Sequence, residues 1–377
     1  MKKGCIFFFV AILIMSSCSS GRRALERGDY FSAVLKSVQR LRSDPDNRKA
    51  TQVLDNSYDL ALTWSQEEMD RIMTTNEPFK WGRAVDLMEQ MNHLADEIRQ
   101  SPAARQVVPD PKVYTSELNT GREKAAGERY DAGVAQLAEN TRESARGAYQ
   151  DFVWADQYIK GFRDVAEKII EAKTLATLTV ILEAIPVHAV RYKLSSGFFY
   201  NKVFEFLNNK FPDNSFVNFY SPQQAEKLGL TNPDMIVRLE FFDFVVGNSE
   251  HSEKEEQVKR RVQVVTKDTS KVVYKNYTAR IKTFTDKVNS GGVLDVKIIE
   301  TGSAKLMMND RIPGSFTWVN QYAMYVGDKE ALDKNQIMLV NRKVVAPPDG
   351  QDLFIEFTKP IFDRLTGNLY RFFSRYN

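Results

Sequence analysis

The side chains best suited to catalysis or metal binding are few and widely spaced. The chain of 377 residues holds three histidines and two cysteines, which are His93, His188, His251, Cys5 and Cys18. No histidine has a second one at ligand spacing, so the pattern indicates no zinc or other metal site. The sequence motifs of serine hydrolases, P-loop enzymes, zinc proteases and dinucleotide-binding enzymes are absent. The sequence therefore predicts a protein that is not an enzyme and uses no cofactor.

Clustered carboxylates are the remaining candidates for chemistry. Glu67, Glu68 and Asp70 lie close together in a predicted helix and could act as general acid and base. Arg71 follows them directly, and a charged cluster of this kind is typical of a solvated helix face. An envelope hydrolase that uses carboxylates stays open as an alternative function.

The charge balance argues against nucleic acid as a partner. The 52 Lys and Arg residues nearly cancel the 49 Asp and Glu residues, which leaves a net charge of +3. Nucleic-acid binding requires a clustered basic excess, and neither such a cluster nor a small-molecule motif is evident. Hydrophobic residues make up 43% of the chain, which is enough to build a buried core.

The N-terminus is typical of a bacterial lipoprotein signal. Lys2 and Lys3 precede an apolar run over residues 5–15, which is too short to span a membrane and fits a signal peptide. Residues 15–18 (Met-Ser-Ser-Cys) resemble a lipobox. This resemblance implies that residues 1–17 are removed and that Cys18 carries acyl chains, such as palmitate, that anchor the protein to a membrane. An ordinary signal peptide is the alternative.

The residues around the cleavage site predict the location of the protein. Loss of residues 1–17 would lower the net charge from +3 to +1 and leave no free thiol. No Asp directly follows Cys18, and no acidic cluster lies in residues 19–23. In lipoproteins these features disfavour retention at the inner membrane and export to the cell surface. We therefore predict a protein that is lipid-anchored at the outer membrane and faces the periplasm.

Phenylalanine divides the chain into two halves. Four phenylalanines lie between residues 18 and 179, and seventeen lie from residue 180 onward. The first half is rich in helix formers, and the second half is rich in β-branched and aromatic strand formers. We predict an α+β chain. An all-α array of helical hairpins, residues 18–173, is expected to precede an α/β domain with a mixed, largely antiparallel sheet, residues 174–377.

Two segments of the first half resemble tetratricopeptide repeats. Ala148, Phe152 and Ala155 reproduce the small-aromatic-small spacing in the second helix of such a repeat, and Ala33 with Ser37 reproduces it in part. An array of such repeats presents a concave surface to protein partners. A generic helical bundle, which need not present one, is the alternative.

Long amphipathic helices are expected between these two segments. They cover residues 50–74 and 78–99, where apolar residues recur at helical spacing. Trp81 begins the apolar face of the second helix and is a candidate partner-binding residue.

In the second half, alternation and turn residues predict several short strands and helices. The strands are expected at residues 175–182, 216–220, 235–246 and 305–318, with a break in the last one at Pro313-Gly314. Helices are expected around residues 199–207, from Ser221-Pro222 onward and from Thr358-Lys359-Pro360 onward. Residues 250–261 are expected to form a charged loop or hairpin tip, and Gly291-Gly292 a turn.

The aromatic residues at the C-terminus exceed the number that one helix face can bury. Tyr370, Phe373 and Tyr376 are therefore candidates for docking a protein partner or the membrane interface. Packing of the same residues in the core of the second domain is the alternative.

The order of these elements resembles the domain shared by the curli secretion channel subunit and the lipoprotein activators of penicillin-binding proteins. Residues 179–186 match its first strand, residues 238–241 an internal strand, and residues 297–302 a turn between two strands. The whole chain is similar to Bacteroidota lipoproteins with a tetratricopeptide-like front. The resemblance implies a non-enzymatic adaptor or scaffold for an envelope protein assembly. A secretion-channel subunit is the alternative, with residues 254–285 as its candidate membrane hairpin.

Overall fold

A computed structural model describes residues 21–186, 193–265 and 272–377. The chain forms two compact units, one that ends at Ala176 and one that begins at Thr177. The first unit is a helical array and the second contains a mixed sheet, which confirms the predicted α+β fold class. Cys18 and His188 lie outside the described residues, so the lipid anchor stays a prediction.

The helices of the first unit follow one another through short connections. They are α1 (Arg22–Leu25), α2 (Tyr30–Ser43), α3 (Arg48–Thr74), α4 (Lys80–Arg99), α5 (Pro102–Val107), α6 (Ser116–Ala138), α7 (Arg142–Tyr158) and α8 (Val165–Ala176). Side-chain oxygens accept hydrogen bonds from the first turns of α2, α3, α5 and α7, and these caps determine where the helices begin. The capping residues are Asp29, Asn47, Ser101 and Thr141.

Helices α6 and α7 pack through the residues that the repeat-like spacing identified. Ala148, Phe152 and Ala155 are fully buried. A Cβ atom at Gly133 would lie 2.8 Å from the ring of Phe152. The glycine therefore lets the phenylalanine ring lie directly against the backbone of α6.

The second unit alternates strands and helices. Its elements are β1 (Leu178–Leu182), α9 (Lys193–Lys210), β2 (Val217–Tyr220), α10 (Pro222–Lys227), β3 (Met235–Val265), β4 (Val272–Glu300), β5 (Lys305–Gly327), α11 (Lys334–Asn341) and α12 (Gly350–Phe373). Ser221 caps α10, and Pro222 occupies its first position, as the sequence predicted.

The strands form one sheet in the order β2-β1-β3-β4-β5. β1 is parallel to both of its neighbours, and α9 provides the crossover that the parallel strands β1 and β2 need. β3, β4 and β5 form an antiparallel meander. The main core lies on one face of this sheet, where strand residues such as Leu178, Leu239 and Leu294 pack against α9 and α12.

β3 and β4 extend far beyond the main core. They have 31 and 29 residues, and their pairing runs from Met235 and Glu300 to Val265 and Val272. At about 3.3 Å per residue, β3 is about 100 Å long. We call the part of β3, β4 and β5 beyond the main core, residues 250–265, 272–287 and 319–327, the ribbon.

The ribbon has a small core of its own on the opposite face of the sheet. Ala279, Ile281 and Ala323 pack there against Ala331 and Leu332, which lie just before α11. Because successive strand side chains alternate between faces, the odd-numbered residues of β4 serve this small core. The even-numbered residues of β4 serve the main core near the other end of the strand.

The charged segment 250–261 is not a hairpin tip, which corrects the sequence-based prediction. It lies within β3 and pairs with residues 276–287 of β4. A high charge density usually indicates a loop. Here it occurs on a strand because most of its side chains are exposed, although Val258 packs against the small core.

Gly291 and Gly292 lie inside β4 rather than in a turn. A Cβ atom at Gly292 would lie 2.6 Å from the Cβ of Phe244. The pairing of β3 with β4 shifts register twice in this region. The glycines therefore allow two strands to approach closely and do not reverse the chain.

Pro313 and Gly314 do not break β5, which runs without interruption to Gly327. β5 is an edge strand, where a proline is tolerated because its nitrogen can face away from the neighbouring strand. A Cβ atom at Gly314 would meet the carbonyl oxygen of Phe357. The glycine therefore lets α12 lie directly on β5.

Two helix boundaries also differ from the prediction. α8 continues to Ala176, which delays the first strand to Leu178. α12 begins at Gly350, before the predicted start, because the carboxylate of Asp349 accepts hydrogen bonds from its first turn. Pro360 lies inside the helix on its exposed side, so the helix continues through it.

The burial of Phe373 can be tested by substitution. Its ring centroid lies 4.9 Å from those of Phe219 and Phe372, and its side chain is fully buried. We expect Phe373→Ala to lower the free energy of unfolding by about 3–5 kcal/mol, because it leaves a cavity in the core. Tyr370→Ala is the matched control on the same helix. Its side chain is 46% exposed, so we expect a loss of about 1 kcal/mol or less. Urea titration followed by circular dichroism measures both, and equal losses would contradict the assignment.

Candidate functional site

An open groove of about 450 Å³ lies in the helical unit between α3, α4 and α6. Its floor consists of methionine, alanine and tryptophan side chains, and its rim consists of acidic and hydroxyl side chains. The residues that line it are Met69, Asp70, Met73, Trp81, Ala84, Met88, Ser116, Glu117 and Thr120. Trp81, the partner-binding candidate from the sequence, thus lies in the groove. We call it the Trp81 groove.

Two residues of α6 hold Trp81 in place. The backbone N–H of Trp81 donates a hydrogen bond to Oε2 of Glu128 at 3.2 Å. The ammonium group of Lys124 lies 4.2 Å from the centroid of the indole ring, which is a cation–π contact. The start of α4 and the position of the indole ring are therefore set by α6.

The turn before α4 is fixed by a cation stacked between two aromatic rings. The guanidinium carbon of Arg129, on α6, lies 3.5 Å from the ring centroid of Phe79 and 3.8 Å from that of Trp154 on α7. Phe79 has a left-handed backbone with a φ of 58°, which is unfavourable for a residue with a side chain of this size. The contact with Arg129 stabilises this conformation two residues before Trp81.

Arg129 also forms an ion pair with a buried carboxylate. Its Nη1 donates to Oδ1 of Asp151 at 2.8 Å, and Nε2 of Gln136 donates to Oδ2 at 2.9 Å. Each carboxylate oxygen of Asp151 thus accepts a hydrogen bond, although the side chain is only 6% exposed. The pair joins α6 to α7 and, through Phe79, to the helix that carries Trp81. We call Phe79, Arg129, Asp151 and Trp154 the arginine clamp.

The rim of the Trp81 groove carries carboxylates at Asp70 and Glu117, and Nζ of Lys112 lies 3.7 Å from Oε1 of Glu117. A hydrogen bond from its own backbone N–H holds the pKa of Glu117 below its ordinary value. The hydroxyl of Ser116, which donates to Oε2 of Glu117 at 2.8 Å, lowers this pKa further. Glu117 is therefore ionised at neutral pH.

These residue types are suited to holding an apolar segment of another protein. Methionine side chains are flexible and polarisable, so a methionine-lined floor adapts to apolar side chains of different shapes. A tryptophan among them offers the rigid surface that is typical of binding hot spots. An acidic rim favours a segment that carries Lys or Arg beside its apolar face.

The aromatic residues at the C-terminus do not form a single exposed patch. Tyr370 is half exposed, and its ring packs on Phe211 with 5.8 Å between centroids. Tyr376 is half-buried and packs on Phe372. Phe373 is fully buried, which corrects its assignment to a docking surface. Aromatic residues from distant parts of the chain pack around Phe373. The core therefore buries more aromatic rings than one helix face could cover.

A second groove lies between α9 and α12, and the sequence did not reveal it. It has a volume of about 440 Å³ and is lined mainly by Phe198, Lys202, Ile355 and Phe362. Phe198 is 50% exposed, whereas the adjacent Phe199 is buried. The sequence does contain a signal for this groove. Phe198 lies outside the helical spacing of the residues with which α9 covers the sheet.

In the carboxylate cluster on α3, Glu68 forms an ion pair with Arg71. Nε of Arg71 lies 2.7 Å from Oε2 of Glu68, and this hydrogen bond holds the pKa of Glu68 below its ordinary value. Among the described residues, no group of three or more His, Cys, Asp or Glu side chains could hold a metal ion. Nor does any helix in the described ranges combine the length and the apolar composition of a membrane span.

His251 lies on the ribbon between two carboxylates. Its Nδ1 is 2.6 Å from Oδ1 of Asp286, and its Nε2 is 3.5 Å from Oε1 of Glu253. The hydrogen bond with Asp286 raises the pKa of His251 above its ordinary value, and the one with Glu253 raises it further.

Comparison with known proteins adds little to this description. No protein-family model matches the chain, and no curated protein matches it. Among solved structures, the chain is similar to that of a neuraminyllactose-binding hemagglutinin homolog from Helicobacter pylori, with 13% identity and a TM-score of 0.26. The match covers 53% of this chain and 90% of that chain. A TM-score this low supports no argument about fold or function.

The arginine clamp can be tested with two Asp→Ala substitutions. We expect Asp151→Ala to lower the free energy of unfolding of the helical unit by about 3–5 kcal/mol, because it leaves Arg129 without its buried counter-ion. Asp131→Ala is the matched control. Asp131 pairs with Arg163 at 3.0 Å on the surface, and such pairs contribute about 0–1 kcal/mol. Urea titration followed by helical circular dichroism measures the free energy of unfolding of both variants. Similar losses would contradict the assignment of a buried ion pair between Arg129 and Asp151.

The pKa of His251 can be measured by NMR. Folding raises this pKa, so the stabilisation is fully present below the unfolded-state pKa and is lost as pH rises through the folded-state pKa. We expect the midpoint of the imidazole signals to lie above 6.5. Asp286→Asn should lower the midpoint more than Glu253→Gln, because the hydrogen bond with Asp286 is the larger cause. A midpoint that does not respond to Asp286→Asn would rule out this cause.

Proposed function

We propose that the protein is a non-enzymatic adaptor of the bacterial cell envelope. It is anchored by lipid at Cys18 to the outer membrane and faces the periplasm. The Trp81 groove, an adaptable apolar floor beside an acidic rim, is the observation that carries the adaptor role. The helical unit recruits a protein segment through this groove, and the sheet unit joins an envelope protein assembly.

The membrane anchor in this proposal rests on the sequence. The apolar run and the lipobox-like residues 15–18 support it, because signal processing at such a site leaves Cys18 as the acylated first residue. Two or more acyl chains hold a protein stably at a bilayer surface. The anchor therefore needs no membrane-spanning segment from the rest of the chain.

The chemistry of the Trp81 groove indicates the kind of segment that it holds. A groove of about 450 Å³ accommodates a few apolar side chains, as from one face of an amphipathic helix. Lys or Arg residues beside that face would lie near Asp70 and Glu117. The arginine clamp positions the groove before the partner arrives, which lowers the conformational entropy lost on binding.

A secretion-channel subunit is a second candidate, and the length of the ribbon favours it. β3 and β4 have 31 and 29 residues, more than a membrane-spanning strand requires. The charges on the ribbon count against it. Glu253 and Lys282 pair on one face, while Lys254 and Glu256 pair on the other. Charged side chains on a lipid-facing surface are costly, so the adaptor role is the better supported one.

Cross-linking on intact membranes tests the adaptor role. Lys124 lies beside the Trp81 ring, so an amine-reactive reagent should link it to a segment in the groove. We expect Trp81→Ala to reduce the recovery of the linked partner at least about tenfold, as for the loss of a hot-spot residue. Trp64→Ala is the matched control, since Trp64 is 43% exposed but does not line the groove. Full recovery with Trp81→Ala would exclude the groove as the binding site.

A Cys18→Ala variant in the same experiment separates the anchor from the groove. This variant should leave the membrane fraction, because it lacks the thiol that receives the lipid. If it remains bound to the membrane, the lipid anchor is wrong, whatever the result for Trp81→Ala. A partner linked equally well by soluble and membrane-bound protein would show that the groove does not depend on the anchor.

A further inference from the structure

β3 has a long edge that is not paired with another strand. β1 pairs only with residues 235–237 of β3, and β4 lies on the opposite side. Over residues 239–265, no strand in the described part of the chain pairs with the edge that faces away from β4. Such an edge presents backbone N–H and C=O groups that can bind a further strand.

The charges along this edge are segregated by sign. Three acidic residues precede Val258 and three basic residues follow it, namely Glu253, Glu255 and Glu256, then Lys259, Arg260 and Arg261. Lys254, which is 78% exposed, is the one basic residue in the acidic block. A sequence ordered in this way is complementary to itself when it is read in the opposite direction.

Antiparallel pairing of two such edges about a twofold axis at Val258 places opposite charges across from each other. In this register Glu255 lies opposite Arg261 of the second copy, and Glu256 lies opposite Arg260 of the second copy. The twofold symmetry repeats both contacts, so four ion pairs form. Residues opposite each other on antiparallel strands lie on the same face of the sheet, about 5 Å apart, which is within reach of these side chains.

The acidic residues have polar partners within their own chain, and Nε2 of the half-buried Gln336 donates to Oε1 of Glu256 at 3.2 Å. Glu255 lies 3.3 Å from Arg280, and Glu256 lies 3.0 Å from Lys254. Exposed pairs of this kind are weak. A carboxylate has two oxygens and can accept a further hydrogen bond from an arginine of the second copy.

The basic residues also have N–H groups that can donate further hydrogen bonds. The guanidinium of Arg261 lies over the ring of Tyr274, 4.4 Å from its centroid. Nη1 of Arg260 donates to the carbonyl oxygen of Leu332 at 3.1 Å. An arginine has five N–H donors, so one carbonyl contact leaves the group able to bind a carboxylate. Lys254, the exception in the acidic block, would lie opposite Val262 and would meet no like charge.

We propose that this edge of β3 binds a second copy of the chain as an antiparallel, twofold-symmetric strand pair over residues 252–264. About 13 residues of each strand take part, over a length of roughly 43 Å. The two sheets thereby become one continuous sheet. This interface is separate from the Trp81 groove and does not rest on the adaptor role.

The order of the charges favours pairing over simple protection of the edge. Charged side chains also prevent unwanted strand addition, but that effect does not depend on their order. Parallel pairing in register would place acid opposite acid and base opposite base. The edge at β5 has no comparable pattern, because residues 312–327 contain no charged side chain.

Charge reversal tests the proposal on the purified full chain in a mild detergent, by sedimentation. The wild type should form dimers at micromolar concentrations and dissociate as salt is added. E255R/E256R should weaken dimerisation by about a hundredfold or more, because four attractive contacts become repulsive. E67R/E139R, which changes the net charge equally at two exposed positions of the helical unit, should leave the dimer intact.

A mixture of two reversed variants separates lost pairing from failed folding. R260E/R261E alone should also be monomeric. An equal mixture of E255R/E256R with R260E/R261E should form a heterodimer, because every contact across the edge is then between opposite charges. Unfolded variants would not associate in this way.

Three results would overturn the proposal. The wild type could be monomeric at every concentration, which would leave the edge to a strand of another protein. E255R/E256R could remain as dimeric as the wild type, or the mixture of the two variants could stay monomeric.

Discussion

The continuous pairing of β3 with β4 is the constraint on which the sheet unit depends. One ladder serves two cores on opposite faces, with Leu294 and Val296 in the main core and Ala279 and Ile281 in the small core of the ribbon. A slip of one residue would move all of these side chains to the wrong face. Both cores therefore select the same register, and the charged stretch of β3 lies opposite the β4 residues of the small core.

The helical unit depends in a similar way on the arginine clamp. Burial of the Asp151 carboxylate and the left-handed backbone of Phe79 are both unfavourable by themselves. Arg129 offsets both, since its guanidinium pairs with the carboxylate and stacks on the ring. The three features are stable only together. Contacts with α6 therefore fix both the turn before α4 and the backbone of Trp81.

Local signals explain which parts of the fold could be predicted. The cap at Ser221, the buried Phe152 and the long helices follow from spacing within a few residues. Residues 250–261 have the composition of a hairpin tip because most of the side chains on this strand are exposed. The pair of Arg129 with Asp151 lies 22 residues apart, and no periodicity identifies it. Spacing shows which face of an element is buried, but it does not show what covers that face, as the burial of Phe373 illustrates.

The two proposed surfaces depend on different physical forces, and a membrane anchor would affect them differently. Burial of apolar side chains in the Trp81 groove depends little on salt, whereas salt screens the charges on the edge of β3 over about 10 Å at 0.1 M. Chains held on a membrane surface by the proposed lipid at Cys18 would have a raised effective concentration. Copies of the chain would therefore pair there through their strand edges more completely than at the same bulk concentration in solution. The groove would gain from such an anchor only if its partner were held at the same membrane, so the proposed lipidation and the proposed strand pairing would be the more closely coupled features.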